Sequence, residues 1–170
     1  MHVSFDQLPA TARVWIYQAS RPLTSAETVG LLPALAQFAA QWTSHGRQLL
    51  ASAEVLHQHF LVVGLDEGVA DASGCSIDAS VRFVAQLEQH LGLELLEKSR
   101  LAFLHSGTVV LLDRRALKAA IADGTIGADT LYFDNTLATK GALDNHWPRP
   151  AGETWLARYF APLEKSSGPA

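Results

Sequence analysis

The stretch LLASAEVLHQHFLVVGLD, residues 49–66, decides the fold that this sequence predicts. Its two halves, residues 49–57 and 60–66, are rich in apolar and β-branched residues, and very few residues separate them. This spacing is typical of a β-hairpin. We therefore predict two adjacent antiparallel strands near the middle of the chain.

A helix is predicted on each side of this hairpin. Before it, Thr24 and Glu27 have the spacing of a capping box, and Pro33 predicts either a kink or a start nearer Leu31. The apolar stripe of this helix comprises Leu32, Leu35, Phe38, Ala39 and Trp42. After the hairpin a second stripe precedes the helix-terminating Gly92, and it comprises Ile77, Val81, Val84, Leu87 and Leu91.

Further strands are predicted outside the two helices. Residues 13–19 (RVWIYQA) are apolar on both faces, which indicates a central strand. Residues 101–104 and 108–113 flank His105-Ser106-Gly107 as a second hairpin, and a short helix follows over residues 114–122. The order strand, helix, strand, strand, helix, strand predicts an α+β protein with a ferredoxin-like split βαβ core and an extra β-hairpin.

The carboxy-terminal part is predicted to be an irregular segment. It begins at residue 131, contains Pro148 and Pro150, and offers a short amphipathic helix over residues 155–160. We find no repeat and no long linker, so residues 1–165 are predicted to form a single α+β domain. Residues 166–170 are predicted to be a flexible tail.

Composition limits the classes of function. The chain has 170 residues, 48% hydrophobic and 18% charged, as expected of a soluble globular domain. Its net charge of -4, without clustered Lys and Arg, argues against a nucleic-acid partner. Cys75 is the only cysteine, which fits a reducing, cytoplasmic location, and the amino terminus lacks the pattern of a secretory signal. No apolar run approaches the roughly twenty residues of a bilayer span, so direct membrane insertion is not expected.

Residues 73–78 (SGCSID) are the strongest local candidate for chemistry. A thiol at a helix amino terminus faces free backbone N–H groups and the positive end of the dipole, which favour thiolate. Cys75 is therefore the candidate catalytic residue. In the alternatives, the loop binds an anion, or Cys75 is a small core residue beside a helix cap. The candidate binding residues here are Ser73, Gly74, Ser76 and Asp78.

Two other polar groups are weighed as metal sites. His57 and His59 would share one face of an extended strand, but a hairpin turn between them would break that geometry. The acidic residues around the loop match no calcium-binding spacing, so a solvated acidic loop with Asp78 in a capping position explains them better. These acidic residues are Asp66, Glu67, Asp71 and Asp78. The sequence therefore indicates no metal, and it identifies no cofactor.

Aromatic and polar residues also concentrate in the carboxy-terminal segment. Such a set can line a small-molecule pocket or a protein contact, or it can anchor a loop to the domain. In the second interpretation Trp147 and Trp155 are hydrophobic anchors. The candidate binding residues are Asn135, Thr139, Lys140 and Trp147.

Six short segments between Phe5 and Phe160 carry a resemblance to a known family. They are FDQLP (5–9), WIYQ (15–18), QW (41–42), SGCSID (73–78), ATKG (138–141) and WLAR (155–158). In them the chain resembles a family of small uncharacterised bacterial proteins that often carry the label "ABC transporter ATPase". The label implies nucleotide binding, for which ABC ATPases use Gly-x-x-x-x-Gly-Lys-Ser/Thr. That motif does not occur in this sequence.

Three functional hypotheses result. The first is a non-enzymatic binding or interaction module for an unidentified small molecule or protein, which could form a homo-oligomer. The second is a small enzyme or redox protein that uses Cys75, with a histidine as base. The candidate bases are His45, His57, His59 and His105. The third, implied by the resemblance alone, is an ATPase associated with ABC transporters.

Overall fold

Residues 1–160 are described by a computed structural model of the chain. The predicted tail, residues 166–170, and the predicted domain end at residue 165 lie outside the described residues. Within residues 1–160 the helices are α1 (Ser25–Gln41), α2 (Gly74–Leu91), α3 (Leu117–Ala122) and α4 (Lys140–His146). Short 3₁₀ helices span Phe5–Gln7, Arg114–Ala116, Ala151–Glu153 and Trp155–Tyr159.

The strands are numbered in chain order within the same described range. They are β1 (Arg13–Gln18), β2 (Thr43–Ser44), β3 (Arg47–Gln48), β4 (Leu50–Leu56), β5 (Phe60–Asp66), β6 (Arg100–His105), β7 (Thr108–Asp113), β8 (Leu131–Tyr132) and β9 (Arg149–Pro150). This mixture of helices and small sheets confirms the predicted α+β class.

The chain forms two compact units, each described here by itself. The first comprises residues 1–98 and 135–147, and the second comprises residues 99–134 and the described chain from residue 148. The assignment of residues 1–165 to one domain stays a prediction.

β5 is the central strand of the first unit's sheet, which has the order β1-β5-β4 with both pairs antiparallel. The hairpin predicted from residues 49–66 is confirmed, since β4 pairs with β5 from Leu50↔Asp66 to Leu56↔Phe60. The prediction of a central β1 is wrong. β5 takes that position because its run from Phe60 to Leu65 is buried throughout, whereas β1 alternates with partly exposed residues.

α1 is a continuous helix with the predicted capping box. Thr24 Oγ1 accepts the Glu27 N–H at 3.1 Å, and Glu27 Oε2 accepts the Thr24 N–H at 2.8 Å. Pro33 lies inside the helix, so the later start near Leu31 is wrong, because the capping box already satisfies the first turn. The buried stripe is Leu31, Leu35 and Ala39, and Leu32 from the predicted stripe is 52% exposed.

α2 ends as predicted, with Gly92 in the left-handed conformation at φ 61°. Its buried side includes Val84 and Leu87, but the predicted core residue Val81 is 38% exposed. Ser76 and Ser80 are buried instead, since each hydroxyl donates to a backbone carbonyl within the helix.

β1, α1, β4 and β5 make a split βαβ arrangement, in which β5 lies between the parallel strands β1 and β4. A ferredoxin-like fold would add the strand after α2 to the same sheet. β6 instead pairs with β7 and β8 in another sheet, so the ferredoxin-like arrangement is not confirmed.

The second unit is built on a sheet of order β7-β6-β8-β9. The predicted β6–β7 hairpin is present, with positive φ at Ser106 and Gly107 in its turn. Residues with apolar side chains cover one side of this sheet: Leu101, Phe103, Leu117, Ala120, Ile126, Tyr132, Ala151 and Leu156.

The chain after residue 131 is more regular than predicted. It contains β8, α4 and β9, and the predicted amphipathic helix near Trp155 is a 3₁₀ helix ending at Tyr159. β8 and β9 have two residues each, too few for a periodic pattern to be recognised. None of the described helices combines the length and apolar character needed to cross a bilayer.

Candidate functional site

Ser73 is the residue that caps α2. Its Oγ accepts the Ser76 N–H at 3.2 Å, and Ser76 Oγ accepts the Ser73 N–H at 2.8 Å. The two residues form a capping box in which Ser73 holds the N-cap position. Gly74 is exposed, and nothing lies within 4 Å of a Cβ placed on it, so the protein leaves open space there.

Cys75 is an exposed thiol in the first turn of α2. The interpretation of Cys75 as a core residue is therefore wrong. Positions 75, 79, 82 and 86 recur at helical spacing and share one face of α2. Within residues 1–160 no histidine forms a hydrogen bond with the thiol, so the structure does not assemble the predicted nucleophile and base pair.

The acidic residues near this loop have local roles. Asp78 lies beyond the first turn of α2 and does not cap it, because Ser73 already does. Asp66 Oδ1 accepts the Gly68 N–H at 2.9 Å, and Glu67 pairs with Arg13 at 3.4 Å. Among the described residues there is no group of three or more side chains suited to hold a metal ion.

His57 and His59 lie in the turn between β4 and β5. His57 and Gln58 have φ values of 50° and 52°, so the two histidines do not share a strand face. The ring of His57 packs against Trp147 with centroids 5.5 Å apart, and this partial burial lowers its pKa although the residue remains exposed overall. His59 is 3% exposed, and its burial lowers its pKa despite a hydrogen bond with the Ala19 backbone.

Asn135 and Trp147 join the same end of the first unit's sheet. Asn135 Nδ2 donates to Gln18 Oε1 at 3.0 Å, at the last residue of β1. Trp147 is buried, with its ring centroid 4.8 Å from that of Phe60 at the start of β5. The Trp147 contact agrees with the interpretation of Trp147 as a hydrophobic anchor, whereas Asn135 bonds to a side chain on the distant strand β1.

Thr139 and Lys140 begin α4. Thr139 Oγ1 accepts the Ala142 N–H at 3.3 Å as the cap, and Lys140 is buried. Lys140 Nζ forms an ion pair with Asp144 Oδ2 at 2.6 Å. The pKa of the half-buried Glu54 is raised by burial and by Asp6, and the Lys140 charge opposes that shift. Lys140 is therefore engaged by Asp144 and also acts on the charge of Glu54 on β4.

An open groove lies between α1 and α2 in the first unit. Its volume is about 460 Å³. Its α1 side is formed by Ala34, Gln37, Phe38 and Gln41, which Trp42 and Thr43 continue. Its α2 side is formed by Ala79, Arg82, Phe83 and Gln86.

Three aromatic rings give the groove its apolar part. Phe38 and Phe83 stack with centroids 4.3 Å apart and an interplanar angle of 3°. Both are only half-buried, so part of each ring is open to the groove. Phe38 also packs on Trp42 at 5.2 Å, and Trp42 Nε1 donates to the Ser76 carbonyl at 2.8 Å. The hydrogen bond from Trp42 to α2 fixes the distance between the two walls of the groove.

Polar groups surround these rings. Gln37, Gln41 and Gln86 supply amides that both donate and accept hydrogen bonds. Arg82 supplies the single charge of the lining and forms no ion pair within residues 1–160, although Asp78 lies one turn before it. Among residues 1–160, no acidic side chain lines the groove. The groove is therefore suited to a ligand that has an apolar ring and an anionic group.

The structure does not bring the predicted site residues into the groove. Cys75 shares a helix face with the Ala79, Arg82 and Gln86 wall, while Asn135, Thr139, Lys140 and Trp147 lie elsewhere in the first unit. Sequence patterns place Phe38 in a core stripe and leave Phe83 and Arg82 without a role. These residues share one feature, which is that polar and aromatic side chains recur at helical spacing on two helices. This feature can be recognised as a binding groove only when the contact between α1 and α2 is known.

Comparison with known proteins does not assign the chain to a family. No family model, curated protein or solved structure matches the chain.

Proposed function

We propose that this chain is a non-enzymatic binding module whose small-molecule ligand occupies the α1–α2 groove. The observation that carries the proposal is the groove itself, because 460 Å³ lies within the roughly 300–1,000 Å³ of small-molecule sites. Aromatic rings with a few convergent polar groups are the lining that orients such ligands. Within residues 1–160 no nucleophile and base pair accompanies it, which favours binding over catalysis.

The proposed ligand is a flat aromatic acid. Phe38 and Phe83 offer half-buried ring surface to a ligand, and Arg82 offers a planar fork of donors that matches a carboxylate or phosphate. No carboxylate from the described part of the chain lines the groove, which favours an anionic ligand beside Arg82. The three glutamine amides would select among ring substituents.

We also propose a cytoplasmic location for the chain and a ferredoxin-like split βαβ core for the first unit. The location is supported by the free, exposed thiol of Cys75, which a reducing compartment preserves. The core arrangement is supported by the split βαβ order of β1, α1, β4 and β5. The partners are then a small molecule and other protein chains, not nucleic acid.

Thermal unfolding with a panel of benzoate, salicylate, nicotinate and adenosine monophosphate tests the proposal. A ligand at 100 times its Kd stabilises the native state by about 2.7 kcal/mol, a rise in Tm of roughly 5–10 °C for a chain of this size. We expect at least one acid to produce such a rise. We expect Arg82→Gln to reduce it, and Phe83→Ala to abolish it.

Lys118→Gln is the matched control, because it removes an exposed positive charge in the second unit. It should leave the ligand-induced rise unchanged. Circular dichroism of each variant without ligand shows whether it is folded. A flat response to the whole panel, or equal responses in the wild type, Arg82→Gln and Phe83→Ala, would contradict the groove as the site.

A thiol-dependent enzyme or redox protein is the second candidate. The observation that favours it is the exposure of Cys75 at the start of α2, on the helix face that continues into the groove. This candidate predicts that iodoacetamide alkylates native protein at pH 7 at least tenfold faster than urea-unfolded protein. Equal alkylation rates in native and unfolded protein would contradict the thiol-dependent candidate. Cys75→Ser, which has no thiol, gives the background of the assay.

Nucleotide binding is the third candidate, and it rests on the family resemblance alone. Thr139-Lys140-Gly141 begins α4, with Lys140 buried in an ion pair with Asp144. Magnesium-ATP at millimolar concentration, added to the same thermal panel, tests this candidate. A rise in Tm that Lys140→Met removes would support it, and an unchanged Tm would contradict it.

A further inference from the structure

β7 presents an open sheet edge within the described chain. It pairs with β6 on one side and stands at the end of the order β7-β6-β8-β9. No backbone hydrogen bond joins its other side to any residue in the range 1–160. Six consecutive residues, Thr108–Asp113, share this edge.

The outer edges of β1 and β4 are each bonded to another segment over part of their length. The outer side of β1 bonds to the segment before α4, where the Val14 N–H donates to Ala138 O and the Lys140 N–H donates to Ala12 O. β4 bonds to the amino-terminal residues through the Ala51 N–H and Met1 O at 3.0 Å. β9 has only two residues and ends with Pro150, which has no N–H to offer.

The hairpin turn determines which groups of β7 face outward. Ser106 and Gly107 both have positive φ, which makes the turn a two-residue hairpin loop flanked by the hydrogen-bonded pair His105 and Thr108. Alternation from this pair directs the N–H and C=O groups of Thr108, Val110 and Leu112 toward β6. Those of Val109, Leu111 and Asp113 therefore face outward.

The composition of β7 lacks the usual protection of an edge. Residues 108–112 (TVVLL) contain no charge and no proline, and the register with β6 contains no bulge. Val110 is 46% exposed. Proteins usually blunt such edges with Lys, Pro or bulges, because an open apolar edge pairs with another strand.

We propose that β7 pairs antiparallel with β7 of a second copy of this chain. A strand is its own partner in a two-fold antiparallel pair, so the outward groups of Val109 and Leu111 on one copy meet the same groups on the other. The strand is neutral over residues 108–112, so no like charges oppose each other. This interface is separate from the α1–α2 groove and does not depend on its ligand.

The test is the molar mass in solution between about 1 and 200 µM, by light scattering and sedimentation. We expect a dimer that dissociates on dilution. In a dimer, Val110→Lys would place one ammonium group from each copy near the two-fold axis. Because these like charges repel, the variant should be a monomer. Val109→Pro removes one outward N–H without removing a bond to β6, and it should weaken the dimer at least tenfold.

Val29→Lys is the control, because Val29 is a 65% exposed valine on α1 in the first unit. It should remain dimeric. A monomer at all concentrations would overturn the proposal, and so would a dimer unaffected by Val110→Lys and Val109→Pro. Amide exchange gives an independent reading: in the dimer Val109 and Leu111 should be protected like Val110 and Leu112. Protection of Val109 and Leu111 in a monomer would also overturn it, by showing that another segment of the same chain covers the edge.

Discussion

His59 makes the fold sensitive to pH at the scale of a single residue. It is 3% exposed, its Nε2 has no hydrogen-bond partner within residues 1–160, and burial lowers its pKa from the ordinary 6.5. The unfolded chain therefore binds more protons at mildly acid pH than the folded one does. The contribution of His59 to the free energy of unfolding therefore falls as the pH drops below about 6.5, and it keeps falling until the folded-state pKa is reached.

The prediction is a change in this slope in His59→Gln. Glutamine can still donate to the Ala19 backbone but does not titrate, so the variant should lose less stability than the wild type between pH 6.5 and 5. Urea unfolding at several pH values measures the difference. His57→Gln is the control and should have a smaller effect, because His57 is more exposed. Identical slopes in wild type and His59→Gln would show that His59 does not carry the effect.

Cys75 shows what a local sequence can and cannot predict about one residue. The loop at a helix amino terminus is correctly recognised from SGCSID, since capping depends only on neighbouring residues. Exposure of the thiol is not recognised, because it depends on which face of α2 packs against the sheet. That face is determined by contacts with distant residues such as Trp42.

Gly64 determines how closely β5 approaches the first 3₁₀ helix. A Cβ at this position would lie 2.5 Å from Leu8 Cδ1 and 3.1 Å from Phe5 Cε2. Both of these side chains are buried, so neither can move away easily. Glycine is therefore required here for packing, in the middle of the central strand.

We predict that Gly64→Ala destabilises the protein by about 1–3 kcal/mol through overpacking. Gly30→Ala is the matched control. Gly30 lies within α1 with nothing within 4 Å of an added Cβ, so alanine there should stabilise the helix by up to about 1 kcal/mol. Urea midpoints measure both changes. A Gly64→Ala protein as stable as the wild type would show that the 3₁₀ helix shifts at no cost.

Elements with strong local signals are predicted well. The capping box of α1, the β4–β5 hairpin and the Gly92 end of α2 all follow from residues close in sequence. The sequence does not predict that β5 is the central strand in place of β1, because both strand sequences carry apolar residues on two faces. The order of strands in a sheet depends on pairing between distant segments, which periodicity does not encode.

At the scale of the whole molecule, the chain has two kinds of surface that its sequence does not predict. The groove is made by two helices that are separated by two β-hairpins in the chain. The open edge of β7 is recognised only when the strand order of its sheet and the backbone hydrogen bonds of its outer side are known. Both follow from the arrangement of elements, not from a motif. A search for catalytic motifs therefore directs attention to Cys75 and misses Arg82.

The most direct test of the account is amide chemical-shift mapping with the same flat aromatic acids. We predict that shift changes concentrate on residues 34–43 and 79–86, saturate with ligand, and lose their Arg82-dependent part in Arg82→Gln. Saturating changes confined to other residues, or no change with any acid of the panel, would contradict the proposal that the α1–α2 groove is the binding site.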